Sequence, residues 1–164
     1  MKIFKEEQRF TQTWLIILIV ISMIIPFTFI LKDADNMTTS QIIISSSVIL
    51  LAPAILFIFK LTTRIDEKGI HYQFFPFHLK TRVLEWDQIS NAHVRIYDPI
   101  TEYGGWGLKG GALWNKSKGI AINIKGDIGI QLELASGKKI LIGTQLKDQA
   151  NSTLENYKHK LQNG

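Results

Sequence analysis

Cysteine is missing from all 164 residues. That excludes disulfides, zinc–thiolate centres and cysteine nucleophiles. A second absence is local. Two long stretches hold no charged side chain: Trp14–Leu31 (WLIILIVISMIIPFTFIL) and Ile42–Phe59 (IIISSSVILLAPAILFIF). At about 1.5 Å per residue each reaches ~27 Å as a helix, enough to cross a hydrocarbon core. Ion and proton pathways generally need an ionisable side chain within the span, so these runs argue against a channel or transporter working alone. Histidine is scarce too. His71, His78, His93 and His159 lack i, i+4 or metal-ligand spacing, and no metal site is read from them.

What is present divides in two. Of 19 Lys and Arg, four precede Lys60, and of 14 Asp and Glu, four do, so the later part carries the whole net charge of +5. A basic domain beside a membrane points to anionic lipid. No Lys/Arg cluster or recognition-helix pattern supports nucleic acid. Residues 1–60 are expected to form a membrane anchor with helices over 14–31 and 42–59, and residues 61–164 a separate domain. The first run is longer than a signal-peptide core and no small-x-small site follows it, so it reads as an anchor. Lys2, Lys5 and Arg9 precede the first run, Lys60, Arg64 and Lys68 follow the second, and only Lys32 lies between. Both termini are therefore expected in the cytoplasm, with residues 32–40 outside. Pro26 and Pro53 interrupt the runs, and Ser45, Ser46 and Ser47 offer hydroxyls for helix packing.

From Leu61 the hydrophobic period becomes two. LTTRI, IHYQFF, TRVLEW and ISNAHVRIY read as four strands; GIAINI, GIQLELA and KKILIGT read as three more. The turns between them are short, among them Asp66-Glu67-Lys68-Gly69 and Ser136-Gly137. Asp98–Lys118 is an irregular 21-residue segment. Leu146, Ala150, Leu154, Tyr157 and Leu161 then make the apolar stripe of a final helix, with Thr144 as its N-cap. The fold class is α+β: a two-helix transmembrane hairpin, then a small seven-stranded sandwich or barrel with a C-terminal helix.

Several stretches carry a resemblance: Gln8-Arg9-Phe10 with Trp14, Phe74-Phe75-Pro76-Phe77-His78, Glu102-Tyr103-Gly104-Gly105-Trp106-Gly107, Gly129–Leu134 and Ile142-Gly143-Thr144-Gln145. The chain resembles a bacterial family of two-helix membrane proteins with a cytoplasmic PH-like domain and no established function. The resemblance implies a PH-like split β-barrel of seven strands plugged by the last helix. It brings no catalytic residue and no cofactor. Leu108-Lys109 stands where such proteins usually carry Arg, and Lys is a poorer bidentate donor. PH domains that bind inositides use basic residues at the first strand turn, where this chain has Asp66 and Glu67.

Two groups of residues are candidates for contact. The long loop offers Tyr103, Gly104, Gly105, Trp106, Gly107 and Lys109, with Trp114 beyond, for a protein partner; loops of this length are often functional and tryptophan is a strong interface anchor. The alternative is that its tryptophans pack on the domain. Gly105–Gly110 spells G-x-G-x-x-G, but no helix follows to receive a pyrophosphate. The second group is expected to face lipid: Trp14, Phe74, Phe75, Phe77, Lys80 and Arg82; the alternative is that Phe74, Phe75 and Phe77 fill the barrel. Glu85 and Asp87 beside Trp86 read as solvated charges. The expected function is a membrane-anchored binding or scaffold domain on the inner face of a bacterial inner membrane. The alternative is a structural or regulatory subunit of a larger membrane complex. The expected partners are the bilayer and a protein; self-association stays open.

Overall fold

A short strand ahead of the first apolar helix pairs with the strand that follows the second. The computed structural model describes residues 2–110 and 118–161. It divides into two compact units, Phe10–Phe59 and a unit made of Met1–Arg9 with Lys60–Gly164.

The first unit is a helical hairpin. Helix α1 spans Thr13–Lys32 and α2 spans Thr39–Ala54, extended by a 3-10 turn over Ile55–Ile58. The Thr38 hydroxyl and the Gln41 side chain form a reciprocal cap that starts α2 three residues before the apolar run. Pro26 sits inside α1; Pro53 sits in the last turn of α2, just before the chain tightens to 3-10. Thr13–Lys32 and Thr39–Ile58 have mean hydropathies of 2.8 and 2.3, and both are long and apolar enough to cross a membrane. At the open end of the hairpin the Phe10 and Phe59 rings meet edge to face at 6.2 Å.

In the second unit, β1 (Phe4–Arg9), β2 (Lys60–Asp66), β3 (Gly69–Phe75) and β4 (Arg82–Glu85) form an antiparallel sheet in that order. Its register aligns Arg9 with Lys60 and Lys60 with Phe75. Period-two alternation turns Phe4, Leu61, Ile65, Ile70, Tyr72 and Phe74 inward, where they are buried. Gly69 closes the β2–β3 turn at φ +149°, and a Cβ there would lie 2.0 Å from the Leu84 carbonyl oxygen, so only glycine fits.

The second sheet holds β5 (Ile89–Ile96), β6 (Gly107–Gly110), β7 (Ile120–Asn123), β8 (Ile128–Leu134) and β9 (Lys139–Gly143), ordered β5-β8-β9-β7-β6. Only the β7–β9 pair is parallel. Helix α4 (Lys147–Tyr157) buries Ala150, Thr153, Leu154 and Tyr157 against β1, β5 and β8. Tyr157 stacks on Trp86 at 5.3 Å, and the Trp86 indole N–H donates to the Asp66 carbonyl.

The architecture is α+β, but it departs from expectation in three ways. Nine strands, not seven, stand among the described residues, in two sheets that do not close into a barrel. The extra strands are β1, drawn from residues assigned to the anchor, and β6, cut from the glycine-rich loop. The anchor is accordingly narrower than residues 1–60, since residues 1–9 and Lys60 belong to the β-rich unit. Finally, α4 takes Leu146 as its N-cap; Thr144 precedes it and accepts the Leu146 N–H at 3.1 Å.

β1 is held by polar side chains that face inward. The Glu6 carboxylate accepts the Thr144 hydroxyl at 2.6 Å and the Gln145 N–H at 2.8 Å. The Gln8 amide donates to the Gly143 carbonyl at 2.8 Å. The Tyr157 hydroxyl donates to the Lys2 carbonyl at 2.7 Å. Glu6→Ala strands a buried hydroxyl and an N–H, which costs about 1–3 kcal/mol. A thermal melt of the full chain in nanodiscs is expected to fall for Glu6→Ala and to be unchanged for Glu7→Ala, whose side chain points to water. Equal melts for both would show that β1 does not dock.

Candidate functional site

Residues 98–110 of the glycine- and tryptophan-rich segment form a short helix and the edge strand β6 of the second sheet. Asp98 caps a short helix α3 (Pro99–Tyr103), its carboxylate accepting the Ile100 and Thr101 N–H groups at 2.9 and 3.1 Å. Those bonds hold the Asp98 carboxyl below the usual range. Pro99 suits the first helical position, and Gly104 ends the helix at φ +73° with its N–H on the Ile100 carbonyl. Tyr103 is thereby turned into the domain, where it packs with Tyr97, Ala121 and Leu141. Burial pushes the Tyr97 phenol up to about 12, and its oxygen accepts the Asn123 amide at 2.6 Å.

Arg95 ties this helix to the sheet. Its guanidinium grips both Glu102 oxygens, at 3.1 and 2.8 Å, and its Nε donates to Gln131 at 3.1 Å. The Arg95 contact is the main cause of a lowered Glu102 pKa. Around the pair lies a hollow of about 290 Å³ lined by His93, Lys118, Glu133 and Lys139 among others. Its charges are matched: Lys118 lies 3.7 Å from Glu102, and Lys139 lies 3.2 Å from Glu133.

The partner-contact candidates thus have unequal fates. Tyr103 is core. Trp106 is half-buried, with its indole N–H on the Gly126 carbonyl at 2.9 Å, and the Gly107 N–H donates to the Asn123 side chain at 2.8 Å. Packing therefore claims much of the segment. Gly105, Gly107 and Lys109 are half-buried, while Gly104 and Leu108 are exposed. Gly107–Gly110, the second half of the G-x-G-x-x-G sequence, is the strand β6; residues 111–117, after Gly110, lie outside the described residues. Trp114 lies outside the described residues.

The lipid-facing candidates also divide. Phe74 is 1% exposed and belongs to the core, not to an interface. The period of two that buries Phe74 turns Phe75 out, and Phe77 beyond it is exposed, as are Lys80 and Arg82. Trp14 is exposed near the start of α1. His78 is buried beside Tyr72, ring centroids 5.7 Å apart, and its Nδ1 accepts the Phe74 N–H at 3.3 Å. Nδ1 is thus unprotonated. Burial, and then repulsion from Arg82, push the His78 pKa below its usual value. On the outer face of the first sheet, Asp66 binds His71, the Lys68 N–H and Arg64 at 3.0, 2.9 and 2.8 Å. Burial raises the Asp66 pKa, but these three partners outweigh it and the net shift is downward.

Sequence reading missed Glu6, Gln8, the Arg95–Glu102 pair and Leu79. A signal existed for α3 in Asp98-Pro99 and Gly104. None existed for Glu6 and Gln8, whose polarity hides an inward face. Among the described residues, no group of three or more His, Asp or Glu gathers as a metal site. No protein-family model matches the chain, and no curated protein or solved structure does either.

The buried imidazole gives a pH dependence of known sign. A histidine whose folded pKa is depressed contributes stability that is fully present above the unfolded value and lost as pH falls through the folded one. Domain melting is expected to drop as pH falls below the unfolded imidazole's value of about 6.5. The drop is expected to shrink in His78→Gln. An unchanged slope in that variant would show that His78 is not the group involved.

Proposed function

We propose that the chain is a membrane-anchored binding or scaffold module, with a PH-like domain at the cytoplasmic face of a bacterial inner membrane. The observation that carries this reading is the β1–β2 pairing. Arg9 and Lys60 are register partners in one sheet; Arg9 is the last residue before the apolar hairpin and Lys60 the first after it. A domain whose first two strands flank the hairpin needs both ends of that hairpin on its own side of a membrane. Lys2, Lys5, Arg9, Lys60, Arg64 and Lys68 then favour the cytoplasm. The PH-like reading is supported by the order of elements: an antiparallel four-stranded sheet, a second sheet, then a helix packed against both. The extra strands and the parallel β7–β9 pair are departures from it.

Binding is favoured over turnover because the charged side chains of the outer hollow are spent on one another. A protein partner has an apolar foothold on the same unit: Ile96 and Ile100, at the end of β5 and on α3, are both more than 60% exposed. The second reading, a subunit of a larger membrane complex, is favoured by an apolar groove along α2 between Ile44, Val48, Leu51 and Ile55. The two readings separate on whether capture of a partner survives polar substitutions in that groove.

A reporter active only in the cytoplasm tests the arrangement. Fused after Gly164 it is expected to be active, and inserted at Asp35 it is expected to be silent. The reverse pattern, or activity at both sites, would overturn the reading.

A further inference from the structure

The turn between β3 and β4 exposes large apolar side chains on a rigid frame. Phe77 is 60% exposed and Leu79 is 77% exposed; Phe75 and Val83 on the flanking strands are exposed too. Yet the turn is tied down. The His78 N–H donates to the Phe74 carbonyl at 2.8 Å, and the Gln73 amide donates to the His78 and Leu79 carbonyls, each at 3.1 Å. The Phe77 ring lies against the buried Phe74 ring at 5.8 Å, nearly parallel. These contacts hold Phe77 and Leu79 outward. Exposed large apolar side chains grouped on an ordered turn suit an interaction surface.

Its place in the register puts it beside both chain crossings into the hairpin. Phe75 is the cross-strand partner of Lys60, and Lys60 of Arg9. Both chain crossings into the apolar hairpin leave the sheet from this row, so the turn begins one residue from it. Lys80 and Arg82 are exposed beside the apolar group. Aromatic rings and cations together suit the headgroup layer of a bilayer, where a cation near anionic lipid contributes about fivefold in binding.

We propose that the Phe75–Arg82 turn is a second membrane contact of the domain. Phe75, Phe77 and Leu79 enter the headgroup layer of the bilayer that the hairpin spans, and Lys80 and Arg82 meet anionic lipid phosphates there. The contact fixes which end of the domain faces the bilayer. It rests on the proposal that the hairpin crosses a membrane.

The absence of cysteine makes the test clean. Single-cysteine variants Leu79→Cys, Glu67→Cys and Ile44→Cys of the full chain are labelled with a fluorophore in phosphatidylcholine vesicles, with and without phosphatidylglycerol. Quenching is read with nitroxide lipids and with aqueous iodide. Glu67 sits at the opposite end of β2, roughly 20 Å from Lys60. The expected result is lipid quenching at Leu79 at least twice that at Glu67. It should increase with phosphatidylglycerol and fall to the Glu67 level in the Lys80→Gln, Arg82→Gln double variant. Lipid quenching at Ile44 with none at Leu79 would overturn the proposal while leaving the spanning hairpin intact. No lipid quenching at Ile44 would instead overturn the spanning reading on which it rests. Shielding of Leu79 from both quenchers would show that protein covers the turn and would likewise overturn the proposal.

Discussion

The pairing of β1 with β2 is the constraint on which the rest depends. It joins strands separated by 50 residues of apolar hairpin. Closing a flexible loop of that length would cost about 3–4 kcal/mol in entropy beyond a constant term. A preformed hairpin avoids much of that cost, because its ends already meet where the Phe10 ring touches Phe59. The dependence runs the other way as well. Without β1, the acceptor for the Thr144 hydroxyl and the Gln145 N–H is gone, and so is the strand that covers one side of α4. The β-rich unit is therefore discontinuous in sequence, and the apolar hairpin is an insertion within it.

With β1 included, the unit holds eighteen Lys and Arg against twelve Asp and Glu. The charges are not spread evenly in what they do. On the second sheet they pair: Arg95 with Glu102, Lys139 with Glu133. The Arg95–Glu102 pair is partly buried and bidentate, so removing either member leaves a charge short of its partner in a poorly solvated place. Its role is to seat α3 and, through Tyr103, to cover Ala121 and Leu141. On the first sheet the exposed residues at the hairpin end mix cations with aromatic rings.

The strands with apolar alternation were legible, from Leu61 through Gly143, because one buried face forces a period of two. β1 was not. Its inward positions after Phe4 are Glu6 and Gln8, so its pattern resembles a solvated tail, and its partner lies beyond the hairpin. β6 was hidden for a different reason: Gly-Leu-Lys-Gly has little strand propensity, and its pairing with β7 decides the matter. The aromatic turn was legible as a group but not residue by residue. Alternation alone separates buried Phe74 from exposed Phe75, while the outward pose of Phe77 and Leu79 depends on hydrogen bonds from Gln73 that no local pattern encodes. Trp106 had the signature of an interface anchor, yet the Gly126 carbonyl takes its N–H and packing covers most of its surface.

The central claim is that the chain ahead of the first apolar helix is a strand of the domain in a defined register with the chain after the second. Register partners on adjacent antiparallel strands have Cα atoms about 4.5–5.5 Å apart, within reach of a disulfide. Glu7 and Thr62 are such partners, on the outer face of the sheet, and the chain supplies no competing thiol. The measurement is oxidative cross-linking of the Glu7→Cys, Thr62→Cys variant in native membranes, read after proteolysis within the 32–40 connector. The account predicts that the two fragments stay joined, and that the Glu7→Cys, Gln73→Cys variant, in the same row but two strands apart and about 9–10 Å away, separates. Separation of the first pair, or equal joining of both, would contradict it.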